Sequence, residues 1–322
     1  MARRFCRTLS ALGLAACLFY GAPGFAQEPL GIEPPSPSPP AAGGSEQAVV
    51  ARYWELGRPR LFLSTLLDAG YAYVRPQFAL GYGMPYWRWV GLQTYPLVSL
   101  GGVGHYAGIA AEIPGIQLRG GGRYWYPFTR EFLVPQDSFS RRDIERQQGP
   151  KADYLALEAE LVTTLKVPAG SLFAVCTVYY TLLVPDGFFL YEESLRTVME
   201  PPFIWRGRLG YLFALGRDGA IRVGPAAELI GPGRGELILR GGVLASVSIN
   251  AFLEAQASFI PAILTPDRLG LAGGDFGQLG VRYRWATGST PDPEALKKAR
   301  TERLEQLDEK RREREQQEQQ QR

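Results

Sequence analysis

Histidine is almost absent from this sequence and cysteine is scarce. His105 is the only histidine, and the cysteines are Cys6, Cys17 and Cys176. The first two fall in a stretch that reads as an export signal, so the exported chain keeps Cys176 alone. That excludes an intramolecular disulfide and a cysteine-rich metal site. Beyond the export signal there is no hydrophobic run of the roughly 20 apolar residues that a transmembrane helix needs. If the chain crosses a bilayer it does so as a closed barrel, because only helices and closed barrels satisfy the backbone in lipid. Charge of one sign is in little excess. A net charge of +3 is too small to argue for nucleic acid, and no basic patch interleaves with aromatics as a single-strand binder requires. Phosphate-loop chemistry is missing too. Gly101-Gly102-Val103-Gly104 and Gly120-Gly121-Gly122 are not followed by Gly-Lys-Ser/Thr or by a helical pattern. Glycines inside a strand mark a bend or a close backbone approach instead. No cofactor and no metal is expected.

What is present begins with the export signal. Arg3, Arg4 and Arg7 give a positive start, 9–20 is apolar, and Gly24-Phe25-Ala26 offers small residues for cleavage before Gln27. A competing reading takes Leu14-Ala15-Ala16-Cys17 as a lipoprotein box. Against it, apolar Leu18, Phe19 and Tyr20 follow the cysteine, where lipoproteins turn polar. The segmentation is therefore 1–26 export signal, 27–59 linker, 60–285 strand region and 286–322 tail. The linker holds Pro34, Pro35, Pro37, Pro39 and Pro40 and cannot bury a core. The tail is dense in Glu, Lys, Arg and Gln, so it reads as a polar helix or a disordered segment.

The strand region alternates residue by residue. Leu155, Leu157, Ala159, Leu161, Thr163 and Leu165 share one face, with Glu158, Glu160 and Lys166 on the other. Leu253, Ala255, Ala257 and Phe259 oppose Glu254, Gln256 and Ser258; Leu209, Tyr211 and Phe213 oppose Arg206 and Arg208. One face of each strand carries no charge, the period-2 pattern of a strand with one apolar and one wet side. Turn residues at Pro168-Ala169-Gly170, Arg217-Asp218-Gly219 and Gly231-Pro232-Gly233 separate the strands. The pattern predicts twelve strands, ten and fourteen being the alternatives. They fall at 60–67, 71–80, 87–98, 102–112, 115–126, 153–166, 171–184, 203–216, 219–230, 235–246, 250–262 and 275–285. The long connections 127–152, 185–202 and 263–274 then share one side. Tyr82, Tyr86, Trp87, Trp89, Tyr95, Tyr124, Trp125 and Tyr126 read as an interfacial aromatic girdle, or else as a carbohydrate-stacking platform. The competing fold is a soluble sandwich, in which the uncharged faces pack on a second sheet.

Gln278-Leu279-Gly280-Val281-Arg282-Tyr283-Arg284-Trp285 closes the last strand. It resembles the assembly signal that ends bacterial outer-membrane β-barrels, with Gln278, Gly280, Tyr283 and Trp285 carrying the likeness. In such barrels the signal commonly stands at the extreme C-terminus, whereas this chain runs on to Arg322. The resemblance implies an antiparallel transmembrane β-barrel in the bacterial outer membrane, with outer-membrane lipid and the barrel-assembly machinery as partners.

If the uncharged faces meet lipid, the charged ones line the interior. Those residues include Arg75, Arg119, Arg123, Glu158, Glu160, Arg206, Arg208, Arg222, Glu228, Arg240, Glu254, Arg282 and Arg284. An open lumen so lined would attract anions. A filled interior would instead pair the arginines with Glu158, Glu160, Glu228 and Glu254, as small barrels do. Two functions follow: a narrow passive, porin-like channel, or a closed anchoring barrel whose tail binds a periplasmic partner. A lipid-modifying hydrolase is the third reading, and it needs an activated hydroxyl beside a base. His105 lies between Gly104 and Tyr106, and position 107 is Ala107, so the His-x-Ser arrangement of lipid A deacylases is absent. Ser99 is the cross-strand alternative. No catalytic residue is assigned. The segment Arg141-Arg142-Asp143-Ile144-Glu145-Arg146 reads as a solvated loop of mixed charge.

Overall fold

Every stretch with an uncharged alternate face forms a strand. A computed structural model of the chain describes residues 53–70, 73–146, 149–215, 220–276 and 279–288, with isolated positions between 298 and 316. All belong to one compact unit, Ala41–Arg322. The export signal, most of the linker, the Arg217-Asp218-Gly219 turn, Gln278 and the expected tail helix lie outside the described residues.

The first seven strands are β1 (Arg60–Gly70), β2 (Tyr73–Met84), β3 (Arg88–Ser99), β4 (Gly102–Ile113), β5 (Ile116–Pro127), β6 (Tyr154–Val167) and β7 (Gly170–Leu182). A short hairpin follows, β8 (Leu190–Glu192) with β9 (Thr197–Met199). Then come β10 (Phe203–Leu215), β11 (Ile221–Gly231), β12 (Ile238–Ser248), β13 (Leu253–Phe259), β14 (Ala262–Leu264) and β15 (Gly280–Ala286). Leaving the hairpin aside, neighbours pair antiparallel around a ring. β1 pairs with β15, and β11 with β12 closes the sheet. β14 continues β13 along β12 beyond Pro261, so the ring has twelve strands. It is a closed barrel, and the sandwich is excluded.

Because the strands run alternately up and down, the connections 128–153, 183–202 and 265–279 lie at one end. The turns 85–87, 114–115, 168–169 and 249–252 lie at the other, the short-turn end. The outer face is apolar. Leu63, Leu80, Leu92 and Ile109 stand in one cross-strand row and are 45%, 51%, 60% and 65% exposed. Leu157, Leu209, Val243, Val281, Tyr283 and Trp285 carry the belt round the barrel. A soluble protein would bury such side chains, each worth ~1.5–3 kcal/mol. A contiguous apolar band on a closed barrel meets acyl chains instead.

Alternation also corrects the aromatic girdle. Tyr82, Tyr124 and Tyr126 are exposed, but Trp89, Tyr95 and Trp125 are buried inside. Trp125 follows Tyr124 and precedes Tyr126, so it must face the other way. Glycines make room for these rings: a Cβ at Gly104 would sit 2.8 Å from the Trp125 indole, and one at Gly121 would sit 2.9 Å from the Tyr106 ring.

The connections at the long-loop end fold on themselves. Helix α1 (Arg141–Glu145) starts at Ser140, whose N–H and hydroxyl both donate to Asp143. Leu133, Phe139, Ile144, Tyr191, Val198 and Leu269 form a buried cluster among the loops. Leu190 and Met199, on the other face of the β8–β9 hairpin, join a second cluster with Trp125, Tyr154 and Ile204 of the wall. Both strands of the hairpin are buried along their whole length, while Ser194 in its turn is exposed.

Candidate functional site

The chemistry of this molecule is in its lumen. Strand register sets opposite charges directly across from one another, where cross-strand pairs interact best. Asp68 on β1 faces Arg75 on β2 and Arg282 on β15. Its carboxylate accepts from both, at 2.6 Å and 2.7 Å. Arg119, Glu160, Thr177 and Arg206 form one row over β5, β6, β7 and β10. Glu160 lies 3.0 Å from Arg119 and 3.4 Å from Arg206. Glu228 on β11 faces Arg208 and Arg240 and pairs with both. Arg208 also reaches Asp275, at 2.6 Å, and Arg284 reaches Glu254, at 2.7 Å.

Arg123 inverts this arrangement. It is one cation between two carboxylates, Glu158 at 3.2 Å on the wall and Glu192 at 3.0 Å on the hairpin. All three are buried. Tyr154 and Ser194 donate further bonds to Glu192. Arg240 completes the grip by donating to the carbonyls of Leu195 and Arg196 in the hairpin turn, at 2.7 Å and 3.0 Å. The hairpin is thus held inside the barrel mouth by two wall arginines. A third tie joins Glu193 to Arg130, 3.0 Å apart.

The side chains do not fill the barrel. A cavity of about 1110 Å³ is bordered by Arg141 and Glu145 at the long-loop end, and by Trp54 and Tyr86 at the other. Among the described residues, ten arginines and six carboxylates border it, with no lysine or histidine. At the short-turn end, Tyr53–Leu56 forms a single 3-10 turn. Trp54 packs edge-on against Tyr86 and Phe252, with ring centroids 4.7 Å and 5.7 Å away. Its indole N–H donates to the Ala251 carbonyl at 2.8 Å. A closed, even-stranded barrel with an apolar outside and a polar, hollow inside has one recognised architecture. It is a transmembrane β-barrel in architecture.

Arg119, Arg123, Glu158, Glu160, Arg206, Arg208, Arg282 and Arg284, all expected inside, border the cavity. Glu228 and Arg240 lie buried in the wall beside it. Glu254 is held by Arg284. Arg222 is on the inward-facing side of β11 but exposed, since it stands next to the short-turn rim. Of the residues carrying the assembly-signal likeness, Gly280 opens β15, and Tyr283 and Trp285 face outward together. Sequence reasoning missed Asp68, Glu192, Asp275 and Trp54. Asp68 was the recoverable one: it continues the alternation of β1 past 67.

His105 faces outward, away from the cavity, with its Nε2 3.2 Å from the Thr94 hydroxyl. That hydroxyl donates to the Tyr106 carbonyl at 2.8 Å, so its proton is not available to the imidazole. Ser99 instead accepts the Gly101 N–H, at 3.1 Å.

No known family model matches the chain, and no curated protein matches it in sequence. Among solved structures it is similar to NanC porin, at 8% identity over 70% of this chain and 98% of that one, with a TM-score of 0.32. KdgM porin gives 7% identity over 70% and 96%, with a TM-score of 0.32. A loop-L8 deletion mutant of OmpT, an outer membrane protein of Vibrio cholerae, gives 8% over 70% and 97%, with a TM-score of 0.31.

Proposed function

We propose that the chain is a narrow passive channel of the bacterial outer membrane with a lumen that favours anions. The observation behind this reading is one cavity bordered by residues of both barrel ends, in which, among the described residues, arginines outnumber carboxylates. Fixed charges on a water-filled wall set which ion enters. The export signal, cleaved near Ala26, delivers the chain to the periplasm. Assembly machinery inserts it there, reading the Tyr283 and Trp285 edge. Planar-bilayer recording tests the channel. The expected result is small steps and a reversal potential displaced toward the anion in a potassium chloride gradient. Silence with every small ion, from a folded preparation, would refute it.

A second reading is favoured by the hairpin and by Trp54, which occupy the two ends. It is a closed anchoring barrel whose tail, 291–322, reaches a periplasmic partner. Deleting that tail would then abolish a pull-down while leaving the barrel folded; unchanged capture would oppose it. A lipid-modifying role would need an activated nucleophile, and the hydroxyl beside His105, that of Thr94, donates its hydrogen bond to the Tyr106 carbonyl.

A further inference from the structure

The rim of the short-turn end carries a built aromatic seat, and this chain's own segment occupies it. Tyr86 belongs to the turn between β2 and β3, while Ala251 and Phe252 belong to the turn between β12 and β13. Around the ring the order is β12, β13, β15, β1, β2, β3. The two turns therefore flank the seam where the first and last strands meet. Tyr53–Leu56 lies between them. Tyr53 packs on Phe252 at 4.9 Å, and Trp54 touches both Phe252 and Tyr86. The indole bond to Ala251 joins positions 197 apart in sequence.

Tyr86 is aimed at this contact by its backbone. It holds φ at 60°, a region that costs a bulky residue energy. Its hydroxyl donates to the Thr65 carbonyl at 2.7 Å. A segment that merely led into β1 would need contacts with β1 and its neighbours alone. This one crosses to a turn beyond β15 and puts Trp54 on the border of the cavity. Only Gly57, Arg58 and Pro59 separate it from the start of β1. Gly57 in that link has the wider backbone freedom of glycine, and no neighbour comes closer than 3.6 Å to a Cβ placed there.

We propose that Tyr53–Leu56 is a docked stopper for the short-turn mouth, with Trp54 as its anchor and the Tyr86–Ala251–Phe252 rim as its seat. Undocking widens that mouth without unfolding the barrel. The test uses the full chain with Cys176→Ser and a reporter, Gln93→Cys, on the cavity wall. Labelling of the reporter by a bulky, charged thiol reagent is timed in detergent. In Trp54→Ala and in Phe252→Ala it should run roughly tenfold faster, the factor that a loss near 1.4 kcal/mol gives. The double variant should add little, because both changes break one contact. Heat-modifiable gel mobility confirms that each variant is folded, and a conservative Trp54→Phe should fall between. Equal labelling rates in folded native protein and folded Trp54→Ala would overturn the proposal. Labelling does not require ion flow, so a silent bilayer recording beside accelerated labelling rejects the channel reading and leaves the stopper standing.

Discussion

Asp68 and Glu160 each hold two arginines, whereas Arg123 holds two carboxylates, and this difference decides what the lumen tolerates. Arg75→Gln leaves Asp68 paired with Arg282. Asp68 is buried, but Arg282 still neutralises it, so we expect a smaller loss than the ~3–5 kcal/mol of a buried charge left without a partner, with a reversal potential shifted away from the anion. Arg123→Ala strands Glu158 and Glu192 in a buried site. Breaking a buried pair in this way costs about 3–5 kcal/mol, which should appear as a lower midpoint in urea unfolding. The hairpin's own carboxylate supplies a pH signature. Burial pushes Glu192 up, but Arg123 and the bonds from Tyr154 and Ser194 outweigh it and hold the group below the ordinary carboxylate range. Its contribution is therefore present above a pH of about 4.3 and lost as pH falls through the lowered value. Limited proteolysis of 183–202 should accelerate only in that acid window; acceleration already near neutrality would contradict the assignment. At this scale the sequence was readable for charges in the middle of long alternating runs. Asp68 was lost because Asp68-Ala69-Gly70 has the chemistry of a turn. Glu192 was lost because it reaches the lumen from a connection, which has no period to read. Asp275 was lost because the last strand was expected to start at 275, where alternation with Arg282 and Arg284 turns it outward, whereas β15 starts at Gly280 and Asp275 lies in the connection before it.

The twelve wall strands were legible because ten or so residues of alternation leave little ambiguity. β8 and β9, three residues each, are too short to show any period. They are fixed by what they pack against, Trp125 and Tyr154 on one side and the loop cluster on the other. β13 stops earlier than its apolar pattern, because Pro261 removes a donor from the ladder before β14 resumes it. Tyr53–Leu56 was hidden for another reason: composition marked it as the end of a linker, and its partners lie far away in sequence. The hairpin supports a prediction of its own. Replacing 188–200 by a short Gly-Ser link should leave heat-modifiable mobility intact, since the wall ladders do not depend on it. Single-channel conductance should rise several-fold. An unaltered conductance would show that the hairpin does not narrow the lumen.

As a whole, the molecule separates two solvents. Polar groups are gathered inside, where register pairs them, and apolar groups are gathered outside in a continuous band. The same alternation that makes the strands legible also made a sandwich arguable, since period 2 says which faces are alike and not what covers them. Closure through the β11–β12 pair decides between the two. The claim on which all else depends is that acyl chains cover the outer band. Nitroxide labels placed singly at Leu92 and at its neighbour Gln93, in a Cys176→Ser background reconstituted into liposomes, test it most directly. Leu92 is 60% exposed and Gln93 is buried on the cavity side. Power saturation should find Leu92 readily relaxed by oxygen and shielded from a polar nickel chelate, with the oxygen preference lost at Gln93. A label at Leu92 relaxed by the polar chelate, or by neither reagent, would place water or protein against that face and contradict the account.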